Sequence, residues 1–121
     1  MNQFSIKYDL EERTAKFGEN VISFCKEIKE TTISKPIISQ LIRSSTSIGA
    51  NYMEANGASS RSDFRNKIFI CKKESQETKH WLRMLGVYTP SLKEKINILW
   101  NEAQALTMIF QKITNSLNKR V

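Results

Sequence analysis

Apolar or small positions spaced alternately four and three residues apart recur through four separate segments of this sequence. That spacing keeps one side of an α-helix apolar along its length, and it does not suit a strand, whose faces alternate every two residues. Between about 9 and 30 the positions are Leu10, Thr14, Phe17, Val21, Phe24 and Ile28, and between about 36 and 56 they are Ile38, Leu41, Ser45, Ile48, Tyr52 and Ala55. Between about 62 and 86 the seam is Phe64, Ile68, Cys71, Ser75, Thr78, Leu82 and Leu85. From about 91 to 119 it is Leu92, Ile96, Leu99, Ala103, Leu106, Phe110, Ile113 and Leu117.

Breaks between the segments carry the residues that stop helices. The chain has only four Gly and two Pro, and these are read as punctuation at the ends of periodic segments. Pro36 suits a first helical turn, where its missing N–H is no loss. Gly57 and Gly86 fit positions just past a helix end, and Ser91 with Glu94 has the spacing of a capping box. The connections at about 31–35, 57–61 and 87–90 are short, so each helix has to fold back on its predecessor. The expectation is one all-α domain over residues 1–121, an antiparallel up-down-up-down four-helix bundle. Phe4, Ile6 and Tyr8 alternate in a way that fits either a short extended arm or a frayed end.

Nineteen Lys and Arg against twelve Asp and Glu leave the chain at +7, with a pI near 9.6. Such a balance favours a polyanion as partner, or serves plain solubility. The charge is uneven: segment one holds six acidic and four basic residues, segment two holds one of each, and the excess of positive charge falls in the second half. Cys25 and Cys71 form no CxxC pair and have no His nearby in sequence, so they are read as small buried thiols rather than a disulfide or zinc site. Charge appears too early in the N-terminal residues for a secretory leader, and no apolar run approaches the roughly 20 residues that span a bilayer. A cytoplasmic protein without membrane association is expected.

Two helices look too apolar on their outer sides for a monomer. In segment two Arg43, Ser47, Ala50 and Glu54 share a side opposite the seam, at about 100° per residue. In segment three Ile70, Glu74, Glu77 and Trp81 form a second stripe. Second faces of this composition suggest contact between copies of the chain, although a thick bundle with a spread core gives the same pattern. Also on segment three, Arg61, Arg65, Lys72, Lys79 and Arg83 fall within about 40° of one another, a row interrupted mainly by Phe69 and Gln76. Such a row can follow a phosphate backbone of RNA or DNA, with little regard to base sequence. Partly neutralised by Asp63 and segment one, it is otherwise a solvated stripe.

Little in the chain suggests catalysis. His80 is its only histidine, so no histidine triad or two-histidine metal motif can be built in one copy. Glu77 and His80 have Glu-x-x-His spacing, but the second copy that a bundle metal site needs is missing. Glu74 and Glu77 are better suited to pairing with Arg43 or Lys73 across a helix contact. Gly57-Ala58-Ser59 lacks the Gly-Lys-Ser/Thr ending of a phosphate loop. No catalytic residue, cofactor or metal is expected.

The stretch from Gln40 to Ala55, QLIRSSTSIGANYMEA, resembles the signature of the four-helix-bundle proteins encoded by intervening sequences of bacterial 23S ribosomal RNA genes. Asp63-Phe64, Lys72-Lys73-Glu74, Glu77-Thr78 and Trp81-Leu82 resemble that family's third helix, and the opening Tyr8 to Thr14 fits its first. The resemblance implies a ring-like homopentamer. It also implies kinship with accessory proteins of diversity-generating retroelements, basic pentamers that associate with a reverse transcriptase and RNA. No settled activity comes with it.

Overall fold

The computed structural model describes residues 9–119, so the alternating Phe4, Ile6 and Tyr8 lie outside the described residues. Within them all regular structure is helical: α1 (Leu10–Cys25), α2 (Ser34–Asn56), α3 (Arg61–Tyr88), a 3-10 turn (Pro90–Leu92) and α4 (Lys93–Lys119).

Local chemistry starts each helix. The Asp9 carboxylate accepts the Glu12 N–H at 3.4 Å, and Glu11 and Glu12 place negative charge at the positive end of α1. Ahead of α2, Thr31 and Ser34 cap each other. Ser34 Oγ accepts the Thr31 N–H at 2.8 Å, and Thr31 Oγ1 accepts the Ser34 N–H at 3.1 Å. Pro36 therefore falls in the first turn, as its chemistry requires. Ser60 caps α3 by accepting the Asp63 N–H at 3.0 Å. Ser91 behaves differently from expectation. It sits in the 3-10 turn, and among the described residues neither it nor Glu94 makes a capping hydrogen bond.

Two helix ends differ from the sequence expectation. Helix α1 stops at Cys25, because Glu27 and Ile28 turn their N–H groups to the carbonyls of Phe24 and Cys25 at 3.0 and 3.1 Å, bonds three residues long instead of four. This tighter turn still leaves Ile28 buried. Helix α3 runs past Gly86 to Tyr88, whose hydroxyl reaches the Lys29 carbonyl at 3.4 Å and lies 3.1 Å from the Thr31 hydroxyl. These bonds tie the end of α3 to the α1–α2 connection.

The seams meet in one core. Phe17, Leu41, Ile48, Ile68, Leu82, Leu85, Leu106 and Phe110 are almost wholly excluded from solvent, and Tyr52 leans on Phe110 with ring centroids 6.2 Å apart. Burying each such side chain stabilises the fold by roughly 1.5–3 kcal/mol before chain entropy is counted. Small polar residues are buried in the same core. Thr14, Ser75 and Thr78 are buried and return their hydroxyl hydrogens to the carbonyls of Leu10, Cys71 and Glu74 at 2.6, 2.8 and 2.8 Å, so no donor is stranded.

Contacts between neighbouring helices run in opposite order along the chain. Arg43, Ile48 and Glu54 of α2 meet Glu74, Cys71 and Lys67 of α3. Arg65 and Lys79 of α3 meet Asn118 and Gln104 of α4. Arg13 reaches Glu102, and Glu27 reaches Lys95. Gly18 and Gly49 do not punctuate helix ends at all: they lie inside α1 and α2, facing the other helix, and at Gly49 the absence of a Cβ lets the two backbones approach. No described helix is long and apolar enough to cross a membrane.

Candidate nucleic-acid interface

Helix α3 carries Arg61, Arg65, Lys72, Lys79 and Arg83 along the side that borders α4. Arg61 donates through Nη2 to the Leu117 carbonyl at 2.6 Å, which satisfies an acceptor in the last turn of α4. Arg65 donates through Nε to Asn118 Oδ1 at 2.8 Å, and Lys79 donates to Gln104 Oε1. All these acceptors are neutral. The ion pairs among the described residues are Arg13–Glu102, Arg43–Glu74, Arg43–Glu77, Lys67–Glu54 and Lys95–Glu27, and none of them uses a member of the row. Arg61, Arg65 and Lys79 are therefore held in place without being neutralised by a carboxylate.

Two aromatic rings, neither marked by the sequence as part of a site, lie in this row. The Arg65 guanidinium carbon stands 4.9 Å and Lys72 Nζ 5.8 Å from the centre of the Phe69 ring. Lys79 Nζ stands 5.3 Å from the Trp100 ring, which α4 brings across. Both aromatic residues keep 37% of their surface exposed. Phe69 is visible in the sequence as an interruption of the row. Trp100 is not, because periodicity within one helix says nothing about which residue of the next lies beside it.

The residues expected on a second outer face divide into two sets. Charged members are engaged within the chain: Arg43 reaches Glu74 at 3.3 Å and also pairs with Glu77, and Glu54 pairs with Lys67 at 2.7 Å. Glu74 is only 8% exposed. Burial pushes its carboxyl up, and the adjacent Glu77 adds to this while Arg43 opposes it; the net direction is upward. Burial also acts against Glu77, but the hydrogen bond and charge of Arg43 outweigh it and hold that carboxyl below its ordinary value. Of the uncharged members, Ala50 is exposed, while Ser47, Ile70 and Trp81 are half-buried. The Trp81 indole N–H is buried with no hydrogen-bond partner among the described residues.

His80 is exposed with its ring edge-on to Trp81, centroids 4.9 Å apart, and Glu77 is turned to Arg43 instead. Among the described residues no three His, Cys, Asp or Glu side chains come together as a metal site would need. An open groove of about 530 Å³ between α1 and α4 is lined by Asp9, Glu12, Arg13, Lys16, Phe17, Asn20 and Glu102, and its Arg13–Glu102 fork at 2.7 and 2.8 Å compensates its own charge. Cys25 and Cys71 are both buried in the core, as the seams imply.

The family profile described as 23S rRNA-intervening sequence protein matches residues 7–112. A crystal structure of a protein of unknown function from the S23 ribosomal protein family of Bacteroides thetaiotaomicron is similar to this chain at 31% identity. The match covers 86% of this chain and 96% of that one, with a TM-score of 0.77. No curated protein matches. With the profile spanning most of its length and a structural relative sharing both sequence and fold, this chain belongs to the 23S rRNA-intervening sequence protein family.

Proposed function

We propose that this protein is a non-enzymatic, self-associating scaffold that binds RNA or another nucleic acid through Arg61, Arg65, Lys72, Lys79 and Arg83. The observation that carries the reading is the row itself: five cations on one side of α3, three of them anchored to neutral acceptors of α4 and all five left without carboxylate partners among the described residues. Like charges so arranged repel one another, and a phosphate backbone relieves that repulsion.

The scaffold is an antiparallel up-down-up-down bundle, a reading supported by the reversed order of contacts between successive helices. Copies of it assemble into a ring-like homo-oligomer, with a pentamer as the expected number from the resemblance noted in the sequence. Met53 at 58%, Ile98 at 68% and Met108 at 62% exposure supply apolar surface for contact between copies. Repetition of the row around a ring raises apparent affinity wherever one strand spans neighbouring copies.

Titration of labelled RNA and of duplex DNA at several salt concentrations tests the nucleic-acid role. Micromolar or tighter binding that weakens steeply with salt is expected. Those same exposed apolar residues support a second reading, a protein-interaction module such as an accessory partner of a reverse transcriptase. Tight binding of an acidic protein partner with no binding of either nucleic acid establishes that reading instead.

A further inference from the structure

We propose that the ligand of the basic row is single-stranded, and that Phe69 and Trp100 are the surfaces on which its unpaired bases stack. The inference rests on the nucleic-acid reading above and names the kind of nucleic acid. A purely electrostatic row needs no aromatic side chains. Here two rings, one from each of the helices that border the row, remain 37% exposed. Three of the five cations stand over them: Arg65 and Lys72 at 4.9 and 5.8 Å from the Phe69 centre, and Lys79 at 5.3 Å from that of Trp100.

This interleaving is what a strand with free bases requires. Its phosphates take the cations while its bases take the ring surface that the cations leave exposed, and every base has a face to offer, so the contact tolerates any sequence. In a duplex the base faces are already stacked on one another, which leaves only the phosphate contacts. Spacing fits the same ligand. Lys79 bonds Gln104 and Gly86 faces Ile96, so Trp100 lies beside Leu82 and Arg83 of α3, thirteen or fourteen residues beyond Phe69, and the two rings are separated along the bundle by about 20 Å at 1.5 Å per residue. At the roughly 3.4 Å rise of stacked nucleotides, that distance corresponds to about six nucleotides of one strand. Hydrogen bonds from Arg65 to Asn118 and from Lys79 to Gln104 hold the flanking cations in register with the rings.

The test compares Phe69→Ala and Trp100→Ala with the parent, using a labelled single-stranded RNA and a duplex RNA of equal length at fixed salt, with oligomeric mass and helix content measured on each variant. Each substitution is expected to weaken single-strand binding about ten-fold and duplex binding less than two-fold, and Phe69→Trp should restore the parent's affinity. Equal effects on both ligands, or none on either, overturn the stacking role while leaving the electrostatic row intact. A drop in oligomeric mass in the alanine variants also overturns it, by assigning the rings to contact between copies. A parent protein that binds neither RNA removes both readings at once.

Discussion

Gly49 of α2 is seated against Thr14 of α1 so closely that a Cβ added to it would stand 3.3 Å from Thr14 Oγ1 and 3.4 Å from its carbonyl carbon. Thr14 cannot easily yield, since it is buried and its hydroxyl is bonded to the Leu10 carbonyl at 2.6 Å. Gly49→Val should therefore destabilise the protein by about 1–3 kcal/mol through overpacking. Gly18 has more room, because a Cβ there meets Thr46 at an ordinary 3.5 Å. Gly18→Ala should instead stabilise by about 0.5–1 kcal/mol, the usual advantage of Ala over Gly inside a helix. Urea unfolding at one fixed protein concentration checks both signs.

Glu74 and Glu77 share Arg43 but give opposite dependences on pH. Glu77 lies below its ordinary 4.5, so the stability it contributes is present above that value and is lost as pH falls through its lowered one. Glu74 is raised, so its ionisation opposes folding increasingly as pH rises from 4.5 through its folded value. Glu77→Gln should flatten the acid side of the stability curve, and Glu74→Gln should remove the destabilisation above pH 4.5. Arg43→Ala, which leaves a buried carboxylate without its partner, should cost about 1–3 kcal/mol at pH 7 and much less at pH 4. Thermal unfolding from pH 3 to 7 reads all three.

Burial alone pushes the Cys25 thiol up to about 11. Chiefly by burial, Cys71 is pushed up to about 12, and its Sγ–H lies 3.5 Å from the Ile48 carbonyl. Hardly any thiolate exists at either site at pH 8. Labelling by a thiol reagent in native buffer should be slow at both positions and become rapid in denaturant, and fast native labelling of both contradicts the core assignment.

Light scattering at micromolar protein should give several times 14.0 kDa, with about five times most in keeping with the proposed ring. Trp81→Ala should lower that mass or the stability, since truncating a buried aromatic costs about 3–5 kcal/mol and a half-buried one somewhat less. A monomer mass for the parent contradicts self-association.

The seams are legible in the sequence because burial repeats with the helical period. Every expected position of the first segment, from Leu10 to Ile28, is buried, whereas Tyr52, Phe64, Leu92, Ile113 and Leu117 in the later helices are only half-buried, and in the last helix Thr114 is buried in place of Ile113. Cross-helix register leaves no such trace. Nothing in segment two announces that Gly49 faces Thr14, or that Ser44 is buried beside Thr78, 3.0 Å from its hydroxyl. The expected pairing of Arg43 with Glu74 and Glu77 forms within one chain, so those charges are engaged before any second copy is considered. The basic row is readable from spacing alone, but its aromatic half needs the α3–α4 packing that brings Trp100 to Lys79.

If phosphate binding by the α3 row holds the nucleic acid, RNA binding must depend on salt through those cations. Plotted as log affinity against log salt, the slope for a single strand becomes shallower by roughly 0.7 for each phosphate that the protein no longer neutralises. The variant carrying Arg65→Glu, Lys72→Glu and Lys79→Glu together should keep its oligomeric mass, bind RNA far more weakly, and show a slope shallower by about two. If it keeps its mass and binds RNA as tightly as the parent with an unchanged slope, the row is a solvated face and the nucleic-acid account is wrong.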